Sequence, residues 1–137
     1  MQVKLDEGTF EPERAHSTDA GLDIRSRECK VIRGNSSEIF HTGVHVILPS
    51  NTCGLLVSKS GLNAKHNITS TGLIDEGYTG EIVVKLYNHS NDDYYVNIGD
   101  KITQLVILPV MYSKINIVTE IDCSTERGNN GFGSTGK

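Results

Sequence analysis

Apolar residues along this chain recur mostly with a period of two. In Gly43-Val-His-Val-Ile-Leu-Pro49, the residues Val44, Val46 and Leu48 share a face. In Gly80-Glu-Ile-Val-Val-Lys-Leu-Tyr87, the residues Ile82, Val84 and Leu86 share one, and Lys85 and Tyr87 look the other way. Ile115, Ile117, Thr119 and Ile121 alternate in the same manner. Such alternation predicts half-buried strands, whereas the nearly unbroken apolar run Ile102 to Val110 predicts a strand buried on both faces. Turn-forming residues separate the runs at Gly34-Asn35, Ser50-Asn51, Gly61, Gly72, Glu76-Gly77, Ser90-Asn91-Asp92 and Gly99-Asp100. Short strands punctuated in this way predict an all-β sandwich, barrel or jelly roll. One short helix is expected, around Ser60 to His66.

The last segment differs in kind. Cys123 to Lys137 carries Gly128, Gly131, Gly133 and Gly136 but a single large apolar residue, Phe132. It cannot bury enough apolar surface to order itself, so a β domain over 1–122 and a flexible arm over 123–137 are expected. A frayed terminus is the plain reading. Yet Phe132 among glycines, with Arg127 before it and Ser134 and Thr135 after it, offers an aromatic face and phosphate-binding groups on a mobile strap.

The 137 residues fit one domain. A net charge of −4 is a poor match for a nucleic-acid polymer or an anionic membrane, though it leaves room for a small anion held by a few donors. The three cysteines, Cys29, Cys53 and Cys123, form no C-x-x-C pair and read as free thiols in a reducing compartment. Met1 to Phe10 lacks an apolar leader core, and no apolar run is long enough to span a bilayer. A soluble, cytoplasmic protein is expected.

Several segments carry candidate chemistry. Thr18-Asp-Ala-Gly-Leu-Asp-Ile24 is turn-like, with Asp19 and Asp23 its acids. Ser58-Lys-Ser-Gly-Leu62 places hydroxyls, a cation and a glycine where a helix can begin, a phosphate-binding composition or simply a capped surface helix. Gly72-Leu-Ile-Asp-Glu-Gly-Tyr-Thr-Gly-Glu-Ile82 reads as strand, tight turn, strand. Asp75 sits at the turn entrance, where a fixed and partly desolvated carboxylate could orient a water as general base. Tyr78 could pack on a sugar or base. Gln104 lies inside an apolar strand and needs partners. Two weaker matches are set aside. Gly131 to Lys137 fits the start of a P-loop but lacks the following Ser or Thr and the strand–helix context. His41 and His45 are spaced like a helical zinc pair but lie in strand-like sequence with no third ligand nearby. No Cys-His or Ser-His-Asp set points to covalent catalysis.

Taken in order, five segments resemble the motifs of the trimeric dUTPase family. They are Asp19–Ile24, Lys59–Leu62, Gly72–Glu81, Gly99–Gln104 and Arg127–Gly136, and they span most of the chain. The resemblance implies a jelly-roll-like subunit in a homotrimer, with active sites at subunit interfaces and the arm closing over a neighbour's nucleotide. It implies hydrolysis of dUTP to dUMP and pyrophosphate, which keeps uracil out of DNA and supplies dUMP for dTMP synthesis. On the matching positions, Asp75 activates the water that attacks the α-phosphorus, and Tyr78 packs against deoxyribose and excludes a 2′-hydroxyl. The backbone around Gly72, Leu73 and Ile74 reads uracil, and Val83 belongs to the same substrate pocket. Lys59, Ser60, Gly61 and Gln104 hold phosphates. Arg127 pairs with the phosphate tail, Phe132 covers uracil, and Gly133, Ser134 and Thr135 close on the terminal phosphate. Asp23 belongs to the polar shell near Mg2+, which binds mainly through substrate phosphates and water.

Three positions depart from the family pattern. Lys59 stands where Arg is usual, Thr69 where an Asn near the uracil is common, and Asn130 where Gly is frequent. Lys59 keeps the charge without the bidentate fork. Two other readings share these residues. One is a dCTP deaminase-type relative on the same fold, with Glu76 and Glu81 as the nearby acids. The other is a nucleotide-sensing regulatory trimer.

Overall fold

A computed structural model of the chain describes residues 1–130. The strands are β1 (Gln2–Leu5), β2 (Gly21–Arg25), β3 (Lys30–Ile32), β4 (Ser36–Ile47), β5 (Thr52–Val57), β6 (Ile68–Ile74), β7 (Glu81–Asn88), β8 (Tyr94–Val96) and β9 (Lys101–Pro109), with one helix, α1 (Ser60–His66). Seven strands form a sheet in the order β1-β4-β7-β6-β5-β9-β2, and β3 pairs with β8 in a second, small sheet. Every pairing is antiparallel. This is the expected all-β, jelly-roll-like architecture. The core comprises the inward residues of the curled sheet, among them Ile24, Phe40, Val44, Ile82, Val84 and Leu105.

The period-two reading holds along β7, where Ile82, Val84, Leu86 and Asn88 are buried and Val83, Lys85 and Tyr87 are exposed. Buried Asn88 is satisfied as a hub: its amide donates to the carbonyls of Ile32 (3.0 Å) and Asp92 (2.8 Å) and its oxygen accepts from Ser90. The turn signals at Asn35 and Asn51 are left-handed residues, a conformation asparagine tolerates. Helix α1 forms over the expected residues and ends at left-handed Asn67, with Lys65 and His66 in its last turn.

Strand β4 carries the fold's main irregularity. Ser36 through His41 pair with β7 in one register, and His45 pairs with Glu81 in another that is shifted by two residues. An even shift keeps Phe40, Thr42, Val44 and Val46 all facing inward. Gly43 lies in this bulge at φ +70°, and a Cβ there would meet Thr9 Oγ1 at 2.0 Å, so only glycine fits.

Two expectations are corrected. Strand β9 is buried on both faces only in its first half: Ile102, Thr103 and Leu105 are buried, but Leu108 and Pro109 are exposed. The alternating segment Ile115 to Ile121 forms no strand; residues 110–130 contain no helix or strand, and Ile115 is 93% exposed. Among the described residues the segment pairs with no sheet edge. No helix among the described residues is long and apolar enough to cross a membrane.

Candidate functional site

The expected site residues fall into two groups. The first gathers on β2, β9 and the residue before α1. Asp23 and Gln104 are cross-strand partners, so their side chains emerge on one face, opposite that of Leu22 and Ile24. Asp23 is 4% exposed. Its Oδ1 accepts from Lys59 Nζ at 2.5 Å and Gln104 Nε2 at 3.2 Å, and its Oδ2 lies 2.7 Å from Lys101 Nζ. Burial pushes this carboxyl's pKa up, but the donors Lys101, Lys59 and Gln104 outweigh burial and hold it below the usual aspartate value. Lys101 also bridges to Glu13 (3.2 Å), which in turn binds Arg25. Residues from three separate segments, Asp23, Lys59 and Gln104, are thus brought together.

The loop that carries Lys59 is fastened from below. Ser58 Oγ accepts from Ser70 N (2.9 Å) and donates to the Ser70 carbonyl, and Ser70 Oγ lies 2.8 Å from Thr103 Oγ1. Sequence reading missed this buried hydroxyl chain, as it missed Glu13, Arg25 and Lys101. Their only signal was Lys101's place inside one of the quoted segments. Ser60 and Gly61 are exposed at the start of α1, where the backbone N–H groups of the first turn have no side-chain cap.

The second group lies on the β6–β7 hairpin. The two strands pair only at Ile68, Thr69 and Ser70, opposite Asn88, Tyr87 and Leu86. Beyond Ser70 they part: β6 continues on β5 alone, Thr71 to Ile74 against Val57 to Gly54, and β7 continues on β4. Among the described residues the edge of β6 at Gly72, Leu73 and Ile74 therefore has no strand partner on the β7 side, and its peptide groups can read a planar ligand's donors and acceptors. Leu73 is 63% exposed, and Tyr78 and Val83 are exposed on the same hairpin.

Asp75 opens the turn at the hairpin tip, its carbonyl accepting from Tyr78 N at 3.0 Å. It is exposed in the single subunit, and the neighbouring Glu76 is covered by Tyr112 and Asn51. Tyr78 Oη donates to the Glu81 carbonyl (2.8 Å). Thr69 lies on the zipped end of the hairpin, its hydroxyl 2.8 Å from His89 Nε2.

The acids flanking Asp75 are engaged elsewhere. Glu76 accepts from Tyr112 Oη (2.7 Å) and Asn51 N (3.0 Å), and those bonds lower its pKa. Burial pushes the Glu81 carboxyl up, but His41, the Gly43 N–H and Arg27 together hold it below its usual value. Among the described residues Arg127 makes a local contact, its Nε donating to the Asn130 carbonyl at 3.3 Å. Phe132, Gly133, Ser134 and Thr135 lie outside the described residues.

The two groups are far apart within one chain. Thr71, Val57 and Gln104 sit side by side across the sheet, and Asp75 is four residues on from Thr71, just past the end of β6. Four residues of strand cover roughly 13 Å, and two strand spacings add about 10 Å sideways.

The chain is an all-β subunit with a split hairpin and a buried Asp–Lys–Gln cluster. The chain belongs to the dUTPase family, whose family model matches residues 10–136. Among its relatives, the deoxyuridine 5'-triphosphate nucleotidohydrolase of Clostridium acetobutylicum is 46% identical over 136 residues, covering 97% of this chain and 93% of the relative. The enzyme of the same name from Kluyveromyces lactis is 38% identical, covering 92% and 86%. A solved structure of the Staphylococcus bacteriophage 80alpha dUTPase with dUpNHpp superposes with a TM-score of 0.92 at 33% identity, covering 99% and 98%. A dUTPase variant from phage phi11 of S. aureus, described with a structural Mg(II) ion, has a TM-score of 0.80 at 33% identity, covering 87% and 96%.

Proposed function

We propose that this chain hydrolyses dUTP to dUMP and pyrophosphate in a homotrimer, at sites where the Asp75 hairpin of one copy meets the Asp23–Lys59–Gln104 cluster of another. Hydrolysis of dUTP is the family's reaction, and what is proposed is how this chain's residues divide the work. The observation that carries it is the separation of the two groups. A base acts within hydrogen-bond reach of its water, and a phosphate-holding cation must touch the same triphosphate. A gap of well over 10 Å within one chain leaves the site incomplete until a second copy supplies the missing half. The exposed apolar segment with Met111, Ile115, Ile117 and Ile121 supports assembly of this kind.

In this reading uracil enters between the parted arms of the hairpin, against the peptide edge of Gly72, Leu73 and Ile74 and beside Val83. A 5-methyl group has little room there, which selects against thymine. Tyr78 lies against the deoxyribose, and Thr69 supports the zipped end next to the base. Asp75 orients a water toward the α-phosphorus and takes its proton. Lys59, Gln104 and the amides of Ser60 and Gly61 hold the phosphates. Catalysis is then positioning plus charge stabilisation, with pyrophosphate leaving as attack proceeds. The donor set suits Mg2+ carried on the triphosphate: once phosphate takes over Lys59, Asp23 can accept from water on the ion. When bound, the ion neutralises phosphate charge. The arm over 123–137 closes on the nucleotide, with Arg127 on the phosphates, Phe132 over uracil, and Gly133, Ser134 and Thr135 at the terminal phosphate.

Deaminase chemistry is disfavoured, because Glu76 and Glu81 are tied into structural bonds that lower their pKa values. The test is pyrophosphate release with magnesium from dUTP, dTTP, dCTP and UTP. Release confined to dUTP and lost in Asp75→Asn is expected. Ammonia release from dCTP, or an Asp75→Asn variant as fast as the parent, overturns the assignment.

A further inference from the structure

The β4 bulge and the Tyr78 ring are connected through one residue, Glu81. On the hairpin side, the Glu81 carbonyl accepts from Tyr78 Oη at 2.8 Å. The ring lies over Gly80, where an added Cβ would stand 2.5 Å from Tyr78 Oη and 2.6 Å from Cζ. Gly80 and the Glu81 carbonyl are thus the seat of the ring. On the other side, the Glu81 carboxylate is held by three donors. Gly43 N donates to Oε1 at 2.7 Å, His41 Nδ1 lies 2.9 Å from Oε2, and Arg27 Nη2 lies 3.5 Å from Oε1.

These donors are themselves fixed. Arg27 Nε donates to the His41 carbonyl at 3.2 Å. Thr42 Oγ1 donates to the Ile82 carbonyl at 2.6 Å and accepts from Val44 N at 3.1 Å, which staples the bulge to β7 beside Glu81. The left-handed backbone that aims the Gly43 N–H at Glu81 is open to glycine alone, because a Cβ there would meet Thr9 Oγ1 at 2.0 Å. The bulge therefore grips the first residue of β7 from one side while that residue grips Tyr78 from the other.

We propose that Glu81 is a positioning residue for sugar selection, held by Gly43, His41 and Arg27 so that its carbonyl fixes the Tyr78 ring against a 2′-hydroxyl. The inference rests on the reading that Tyr78 lies against the deoxyribose. A ring locked at its hydroxyl end cannot tilt aside for the extra oxygen of a ribonucleotide. Once the carboxylate loses its grip, the start of β7 shifts and the ring gains that freedom. The loss is one of discrimination more than of turnover, because Asp75 lies outside the clamp.

The experiment measures kcat/KM for dUTP and UTP in the full chain and in Glu81→Ala, Glu81→Gln, Tyr78→Phe and Tyr78→Ala. The UTP:dUTP ratio is expected to rise roughly threefold to tenfold in Glu81→Ala and Tyr78→Phe, about the net worth of one hydrogen bond. It should rise less in Glu81→Gln, whose amide oxygen still accepts from Gly43 N–H, and most in Tyr78→Ala. A relaxed ratio in Tyr78→Ala with an unchanged ratio in Glu81→Ala overturns the clamp and leaves the sugar reading standing. An unchanged ratio in Tyr78→Ala overturns both. Should Glu81→Ala fail to fold, His41→Ala and Arg27→Ala each remove one support of the carboxylate, and an unchanged ratio in both overturns the proposal.

Discussion

Replacing Asp23 by asparagine tests how strongly the buried cluster is held. The side chain is nearly enclosed, and its oxygens are shared by Lys59, Lys101 and Gln104. Removing one partner of a buried charged pair costs roughly 3–5 kcal/mol. Lys59 keeps 22% of its side-chain surface, so water recovers part of that, and asparagine retains one acceptor oxygen. A loss of about 2 kcal/mol at neutral pH remains. For a chain of this length that lowers Tm by about 8 °C. Thermal unfolding followed by circular dichroism at equal protomer concentration measures it.

The sign of the pH dependence follows from the lowered carboxyl pKa. A carboxylate held below its unfolded value stabilises fully above that value and stops doing so as pH falls through the folded one. The gap between parent and Asp23→Asn is therefore complete at neutral pH. It shrinks once pH drops past 3.8, the ordinary aspartate value. A gap that stays constant down to low pH, or no gap at neutral pH, refutes the ion-pair account.

Three further outcomes follow from the same geometry. Lys59→Arg retains activity and Lys59→Ala loses it by roughly tenfold or more, as expected for a charge-assisted phosphate contact; a near-normal alanine variant sinks that role. Deleting 123–137 leaves the folded sheet and its Tm intact, because the sheet ends at Pro109, but raises KM for dUTP; steady-state kinetics beside a melting curve separate the two effects. Tyr112→Phe removes the bond that ties the start of the tail to Glu76, next to Asp75. It lowers kcat severalfold with KM little changed, and unchanged kcat argues against coupling between the tail and the hairpin.

Much of the fold was legible because its signals are local. The alternation of β7, the short helix at Ser60–His66 and the Asp75–Tyr78 turn each arise from a few neighbouring residues, and each is present. Burial of β9 was overread, because an apolar run does not reveal that its second half lies where the sheet is covered on one side at most. Ile115 to Ile121 has the alternation of a strand, but alternation alone does not pair, and among the described residues the segment joins neither edge of the seven-stranded sheet. Asp75 is expected to be partly desolvated at the turn entrance, and in the single subunit it is exposed. Of the site, Asp23, Lys59 and Gln104 could be named in advance through the family resemblance. Glu13, Arg25, Lys101 and the Ser58–Ser70–Thr103 hydroxyl chain could not, since they are joined only by contacts between distant strands.

Subunit mixing tests the central claim most directly, that one copy's Asp75 acts on dUTP held by another copy's Lys59. Asp75→Asn and Lys59→Ala chains, each strongly impaired alone, are unfolded together, refolded at equal ratio and assayed for pyrophosphate release from dUTP. If sites are shared, about a quarter of them receive both intact residues, and a comparable share of parental activity returns. If the mixture stays as inactive as its components while forming the same oligomer, each site is built within one chain and the account is wrong.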